Sequence, residues 1–487
     1  MTAFALTLVV LSGGGVAALW ALYRWGWRAG PLALGAIALA PALGYGALSL
    51  ATFAWAWSGR PGGRLALIAL ASVLSAGLVW LTPRRPPLPR RQCEPLPRGL
   101  IRAIVVAAAL ALAAVALASP ALSRAQPLGR YDAHAIWNAH AAFLFRAEDE
   151  LPQRFRRMER GHPDYPLFVP AAVAGQWSLL GQESAVIPQA MGAILLLATA
   201  VVVGAALAAL GCPVAGCLAL TLYLSTPNAL RWGFGQCADV PLSYLFVAAA
   251  VGCAGLLGAK PGAPLPPSLT GFLLGLLAWT KNEGMMLAAL LVGVLAVCWT
   301  GQRLRPRQGS SGYPSRDHLG LMDFLGLGAG AAAPLLALVL FKSSWSPHSE
   351  IAVFLGGSAA RLLDPTRWST VAAAFWAELN PVSGWQRWGV VWPLALAGCV
   401  WTAASVTRCQ PVRGALLLAF AGSLAACVFI YVAGPKELDW QLRTSLDRLL
   451  LQLLPLALIC GLIGVGGRVR SEAVPPTRAT GLRSPSR

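Results

Sequence analysis

Apolar positions recur in runs near 20 residues along the whole chain, and polar residues gather between them. A run of about 20 apolar residues is long enough for a helix to cross a bilayer. Such segments are read at roughly 2–22, 31–57, 64–82, 103–119, 184–210, 212–227, 240–258, 269–281, 284–300, 322–341, 389–407, 414–433 and 448–467. Segment 167–181 is also apolar, but it is short and follows a Pro-rich entry, so it reads as re-entrant or interfacial. No stretch alternates apolar and polar at period two, which argues against an outer-membrane barrel. The expected fold is all-α: a polytopic transmembrane bundle of about 13 spanning helices, with interfacial helices in the first outer loop. The opening segment from Thr2 to Tyr23 lacks a basic start and a clear cleavage site, and reads as a retained helix rather than a signal peptide.

Composition agrees. Of 487 residues, 57% are apolar and 12% charged, with mean hydropathy +0.62. A soluble domain carries about 25% charged residues, so a water-soluble globular protein is excluded. No polar stretch is long enough for a separate soluble domain. The ten cysteines lie scattered in apolar segments without a CxxC pair, and read as packing residues rather than zinc or redox centres. The net charge of +19 points to cytoplasmic loops and anionic headgroups, with membrane lipids as partners and no nucleic acid.

Charge placement gives an orientation. Loop 83–102 holds Arg84, Arg85, Arg90, Arg91, Arg98 and Arg102 against one acid. Loop 301–321 holds Arg303, Arg305, Arg307 and Arg316, and tail 468–487 holds Arg468, Arg470, Arg478, Arg483 and Arg487. Thirteen spans put all three on one side, which the positive-inside rule makes cytoplasmic. Only Glu94, Asp317, Asp323 and Glu472 among the 19 acids share that side. The rest gather with His134, His140 and His162 on the outer side, beside long loops 120–166 and 342–388. Chemistry is therefore expected at the extracytoplasmic face of an inner (cytoplasmic) membrane. No internal repeat is visible, and the short basic links read as tethers.

Five polar motifs fall on that face. Asp132 opens the first loop; if 132–145 is helical, Asp132, Ile136 and His140 share a face. Asp132 is either a helix cap or a carboxylate that takes a proton from a substrate hydroxyl. With His134 and His140 it is also a candidate metal set, so a divalent ion stays open and no cofactor is certain. In His162-Pro163-Asp164-Tyr165-Pro166, Asp164 either closes a turn or, with Tyr165, lines the cleft. Asp239, just before Pro241, is either an ordinary helix-start acid or a member of the same site. Lys281 and Glu283 between two apolar helices form a snorkelling ion pair or receive an anionic group. Arg443, Asp447 and Arg448 precede the last helix; they either pair along an interfacial helix or fork onto phosphate.

Acids for proton abstraction and cations for an anion thus converge on one face. No GxGxxG or P-loop serves a cytoplasmic nucleotide, so lipid-borne phosphates and a hydroxyl acceptor fit best. The pattern YDAHAIWNAHAAFLF, HPDYPLFVP, GQCADVPLSY, GLLAWTKNEG and LDWQLRTSLDRLLLQLLP resembles polytopic C-type (GT-C) glycosyltransferases. Bacterial protein mannosyltransferase and aminoarabinose transferase members are the nearest in kind. The likeness spans about 100–467; residues 1–99 look like added helices with a basic linker, and 468–487 like a basic cytoplasmic tail. It implies inverting transfer from a polyprenyl-phosphate sugar to a glycan, lipid or protein acceptor. Asp132 would be the catalytic base, Asp239 would position donor, acceptor or metal, and Lys281 and Arg448 would hold the donor phosphate, joined by Arg443. Loops 120–166 and 342–388 would close over the sugar. The family pattern has a Trp and a Lys near the positions of His134 and His140; the histidines put metal use and donor identity in question. The other readings are a lipid or solute transporter or flippase, and a lipid-linked glycan ligase or polymerase.

Overall fold

A computed structural model describes residues 2–27, 29–60, 62–85, 98–146, 151–258, 265–304, 319–347, 358–406 and 410–464. Much of the three basic stretches that set the expected orientation lies outside these residues. Among the described residues the secondary structure is entirely helical. In chain order the helices are α1 (Ala3–Arg24), α2 (Ala29–Trp57), α3 (Gly63–Trp80), α4 (Arg98–Ala125), α5 (Asn138–Arg146), α6 (Leu151–Arg157), α7 (Phe168–Leu180), α8 (Val186–Ala209), α9 (Pro213–Ser225) and α10 (Pro227–Gly233). They continue as α11 (Asp239–Leu256), α12 (Pro267–Ala278), α13 (Asn282–Arg303), α14 (Leu321–Ser344), α15 (Ser358–Leu362), α16 (Pro365–Leu379), α17 (Trp385–Trp388), α18 (Val391–Ser405), α19 (Pro411–Ala433) and α20 (Leu438–Leu462). A π-helical segment, Ala133–Trp137, leads directly into α5.

Nine of these, among the described residues, are long and apolar enough to cross a membrane: α1, α2, α3, α8, α11, α13, α14, α19 and α20. The chain is a multi-pass helical membrane protein. Segments expected at 212–227, 269–281 and 389–407 form shorter apolar helices, as does 167–181, and 103–119 falls within α4, whose apolar stretch is Ala109–Ala125. The last span begins at Leu438, not at Arg448. Its polar start is helical because Glu437 caps it, accepting from the Trp440 amide at 2.9 Å.

Burial sorts the helices. α12 is apolar all round and buried throughout, and α11 is 94% buried; such helices belong in a core. α3 is only 11% buried yet equally apolar, so its exposed side faces lipid. The first two helices are part of this packing. The Tyr244 hydroxyl of α11 donates to the Ala38 carbonyl at 2.7 Å, and the Trp279 indole donates to the Ser49 hydroxyl at 3.1 Å.

Between apolar helices in lipid, close backbone approach supplies much of the adhesion, and glycine permits it. A Cβ at Gly330 of α14 would lie 1.9 Å from the Ser268 carbonyl of α12, and one at Gly271 of α12 would lie 1.9 Å from the Leu327 carbonyl of α14. Glycines likewise join α1 to α2 at Gly14 and Gly44, and α18 to α20 at Gly398 and Gly461. The carboxyl end of α4, the α12–α13 junction and the amino ends of α7 and α11 meet at one end of the bundle. The opposite end is tied by Arg85 to Asp323 at 3.4 Å, with the guanidinium over Trp25 at 3.6 Å.

Gly330→Val is expected to destabilise the protein by about 1–3 kcal/mol through overpacking. Gly328→Val, where a Cβ meets nothing within 4 Å, should be silent. Thermal unfolding of both variants in detergent checks this.

Candidate functional site

The site is built where regular helix is interrupted. After α4 the chain turns at Gly129 (φ +73°), where a Cβ would come within 2.8 Å of the Gly235 carbonyl. That close approach lets the Arg130 amide donate to Gly235 at 3.1 Å. Gln236, itself left-handed at φ +57°, completes the clasp. Its side chain donates to the Pro127 carbonyl at 3.2 Å and accepts from Asn138 at 3.0 Å. The loops bearing Asp132 and Asp239 are thereby fixed against each other. On the other flank α12 ends, Lys281 takes an extended conformation, and α13 starts at once. Non-helical backbone at bundle depth is tolerated where protein buries it or a cavity adjoins it.

Arg448 stands nearly three turns into α20. Its guanidinium reaches Asp239 Oδ2 at 2.8 Å and Asp132 Oδ2 at 2.5 Å. Asp239 Oδ1 accepts from Gln452 at 2.9 Å and lies 3.4 Å from Lys281 Nζ. Lys281 in turn pairs with Glu283 at 2.8 Å. Asp239 is wholly buried and both its oxygens are committed. It makes no helix-cap bond, so neither acid at these helix starts caps its helix. Asp132 remains 28% exposed, and its Oδ1 has no hydrogen-bond partner among the described residues.

These residues border a cavity of about 770 Å³, within the roughly 300–1,000 Å³ usual for small-ligand sites. Its walls bring together Asp132, Tyr165, Asp239, Lys281, Glu283, Arg443 and Arg448 of the residues expected from sequence. Tyr165 is stacked between His162 (4.5 Å) and Trp137 (5.6 Å). Arg443 does not pair with Asp447; that carboxylate accepts from the Trp232 indole at 3.0 Å instead. Asp164 is not in the wall. It is buried, accepts from Asn282 at 2.7 Å and pairs with Lys342 at 3.7 Å, clamping the HPDYP turn to α13 and α14.

The metal set Asp132, His134 and His140 does not assemble, and among the described residues no three His, Cys, Asp or Glu side chains gather to hold an ion. The wider turn of the π segment, with its i→i+5 bonding, breaks the expected i, i+4, i+8 face. Asp132 and Ile136 face the large cavity, while His134 faces a separate one of about 390 Å³. His140 is buried edge-on to Phe155 at 5.1 Å.

Sequence reasoning missed Trp232, Arg130, Arg231, Arg160 and Gln452. Gln452 was within reach: it interrupts an apolar run four residues after Arg448, on the same helix face. The arginines carried no spacing signal, because Arg130, Arg160 and Arg231 come from separate parts of the chain, Arg231 from α10.

Comparison of the chain with protein-family models, characterised proteins and solved structures gives no match. The class of the molecule therefore rests on its own geometry: a multi-pass helical bundle with a charged cavity at one end.

Arg448→Met should destabilise by about 3–5 kcal/mol, since it strands two carboxylates, one fully buried. Arg448→Met/Asp239→Asn should recover part of that loss; a double-mutant cycle by thermal unfolding checks the coupling. Burial, then the charge of His162, pushes His140 down to about 3 from 6.5. A histidine lowered on folding binds fewer protons folded than unfolded, so its stabilisation is full above pH 6.5 and is lost as pH falls toward 3. The melting temperature should drop below pH 6.5, and His140→Phe should flatten that slope.

Proposed function

We propose that this protein is an integral-membrane glycosyltransferase that moves a sugar from a polyprenyl-phosphate donor to a hydroxyl acceptor at the extracytoplasmic face. The observation that carries the reading is Asp132 Oδ1, uncommitted on the wall of a cavity rich in cations. A base needs an open lone pair within reach of the acceptor proton. Asp239 has none, and serves to position Arg448 and Lys281.

Chemically, the acceptor oxygen attacks the anomeric carbon from the side opposite the phosphate. The new C–O bond forms as the bond from the anomeric carbon to the phosphate oxygen breaks, inverting the centre. The acceptor proton passes to Asp132. The leaving phosphate keeps the bonding pair, and Arg448, Lys281 and Arg443 offset its charge. The full count of about 13 spans, with the shorter apolar helices crossing and α5–α6 lying at the interface, would put the cavity on the outer side of the cytoplasmic membrane. The basic stretches at 83–102, 301–321 and 468–487 would then lie inside.

Membranes holding the wild type should release polyprenyl phosphate from a panel of labelled polyprenyl-phosphate sugars. Asp132→Asn, folded to the same extent, should release it about 10²–10⁴-fold more slowly. Equal rates would remove Asp132 as base. Movement of intact labelled lipid between leaflets, without release, would replace the enzyme by a flippase.

A further inference from the structure

The cavity holds more positive charge than the reaction above uses. Arg448 and Lys281 are already matched by Asp132, Asp239 and Glu283. Arg130, Arg160, Arg231 and Arg443 also line the cavity, and none of them has a carboxylate partner among the described residues. Three guanidinium groups surround one indole: Arg130 lies 4.5 Å, Arg448 4.9 Å and Arg231 5.8 Å from the Trp232 ring centre. Cations crowded this way repel one another strongly once partly shielded from water. Burial, then Arg231 and Arg448, hold the Arg130 guanidinium below its ordinary value, while Asp447 offsets part of that from the edge of the same ring.

A polyprenyl-phosphate sugar is a phosphodiester with one negative charge. Arg448, Lys281 and Arg443 suffice for it, leaving Arg130 and Arg231 without a role. A diphosphate ester carries two charges and more acceptor oxygens, and guanidinium forks suit those oxygens. We infer that Arg130 and Arg231, both beside Trp232, form a second anion subsite that takes the further phosphate of a diphosphate. This rests on the glycosyltransferase reading only for the identity of the donor; the subsite itself rests on the arginines. In transfer from such a donor, the bond broken is still that from the anomeric carbon to the proximal phosphate oxygen, and the prenyl diphosphate leaves with the electron pair.

The test is equilibrium binding, without turnover, to the full-length protein in nanodiscs. The probes are farnesyl diphosphate, farnesyl monophosphate and inorganic pyrophosphate. Wild type should bind the prenyl diphosphate at least about tenfold more tightly than the monophosphate. Arg130→Gln/Arg231→Gln should bring the two to equal affinity while keeping monophosphate binding. Arg130→Lys/Arg231→Lys should keep part of the preference, which separates lost charge from lost fold. Pyrophosphate bound as tightly as the prenyl diphosphate would support the subsite and make a free diphosphate its source. Equal binding of the two prenyl probes by wild type would overturn the subsite, whatever the transfer assay shows. A diphosphate preference without sugar transfer would leave the subsite standing and sink the glycosyltransferase reading instead.

Discussion

A single guanidinium organises this end of the bundle. Arg448 is presented by α20, and it joins an acid from the loop after α4 to an acid at the start of α11. Burying a charge among apolar helices is costly, and only close pairing with further hydrogen bonds offsets it. Asp239 meets that requirement with Arg448, Lys281 and Gln452 on its two oxygens. Four separate parts of the chain are thereby held in one arrangement. Each is a helix start, a helix junction or a helix interior, so the site stands on rigid elements.

The same network divides the charges of the cavity into two kinds. Those deepest in the bundle are paired, which fixes their positions. Arg130, Arg160, Arg231 and Arg443 line the same cavity without a carboxylate partner among the described residues. Asp132 belongs to both groups, with one oxygen held by Arg448 and the other open. That division of its two oxygens distinguishes it from Asp239, whose sequence context looked equally promising.

Glycine contacts and polar clasps make the arrangement possible at different levels. Gly330 and Gly271 let α12 and α14 touch backbone to backbone, which places the α12–α13 junction and hence Lys281. Gly129 does the same for the loops at Asp132 and Asp239, on a scale of a few residues. Asp164 acts at the rim, tying the HPDYP turn to Asn282 and Lys342 so that Tyr165 forms part of the wall.

The helical membrane architecture was legible from the chain alone, because bilayer thickness sets a minimum apolar length and that length recurs. Asp132, Tyr165, Lys281 and Arg448 were legible too, since charged or polar groups at the ends of apolar runs stand out against their surroundings. Helix ends were less so: α20 runs ten residues further toward Leu438, because a Glu437 cap and amphipathic turns extend it past the apolar stretch. What tertiary structure alone decided is who meets whom. The π turn at Ala133–Trp137 breaks the face expected for Asp132, Ile136 and His140, a register shift that residue spacing does not encode. Asp447 chose Trp232 over Arg443, and Arg130, from the turn after α4, came to lie against the indole that follows Arg231 in α10. Hydrophobic periodicity specifies a helix and its buried face; pairing between charges far apart in sequence depends on where packed helices bring them, and only the folded bundle supplies that.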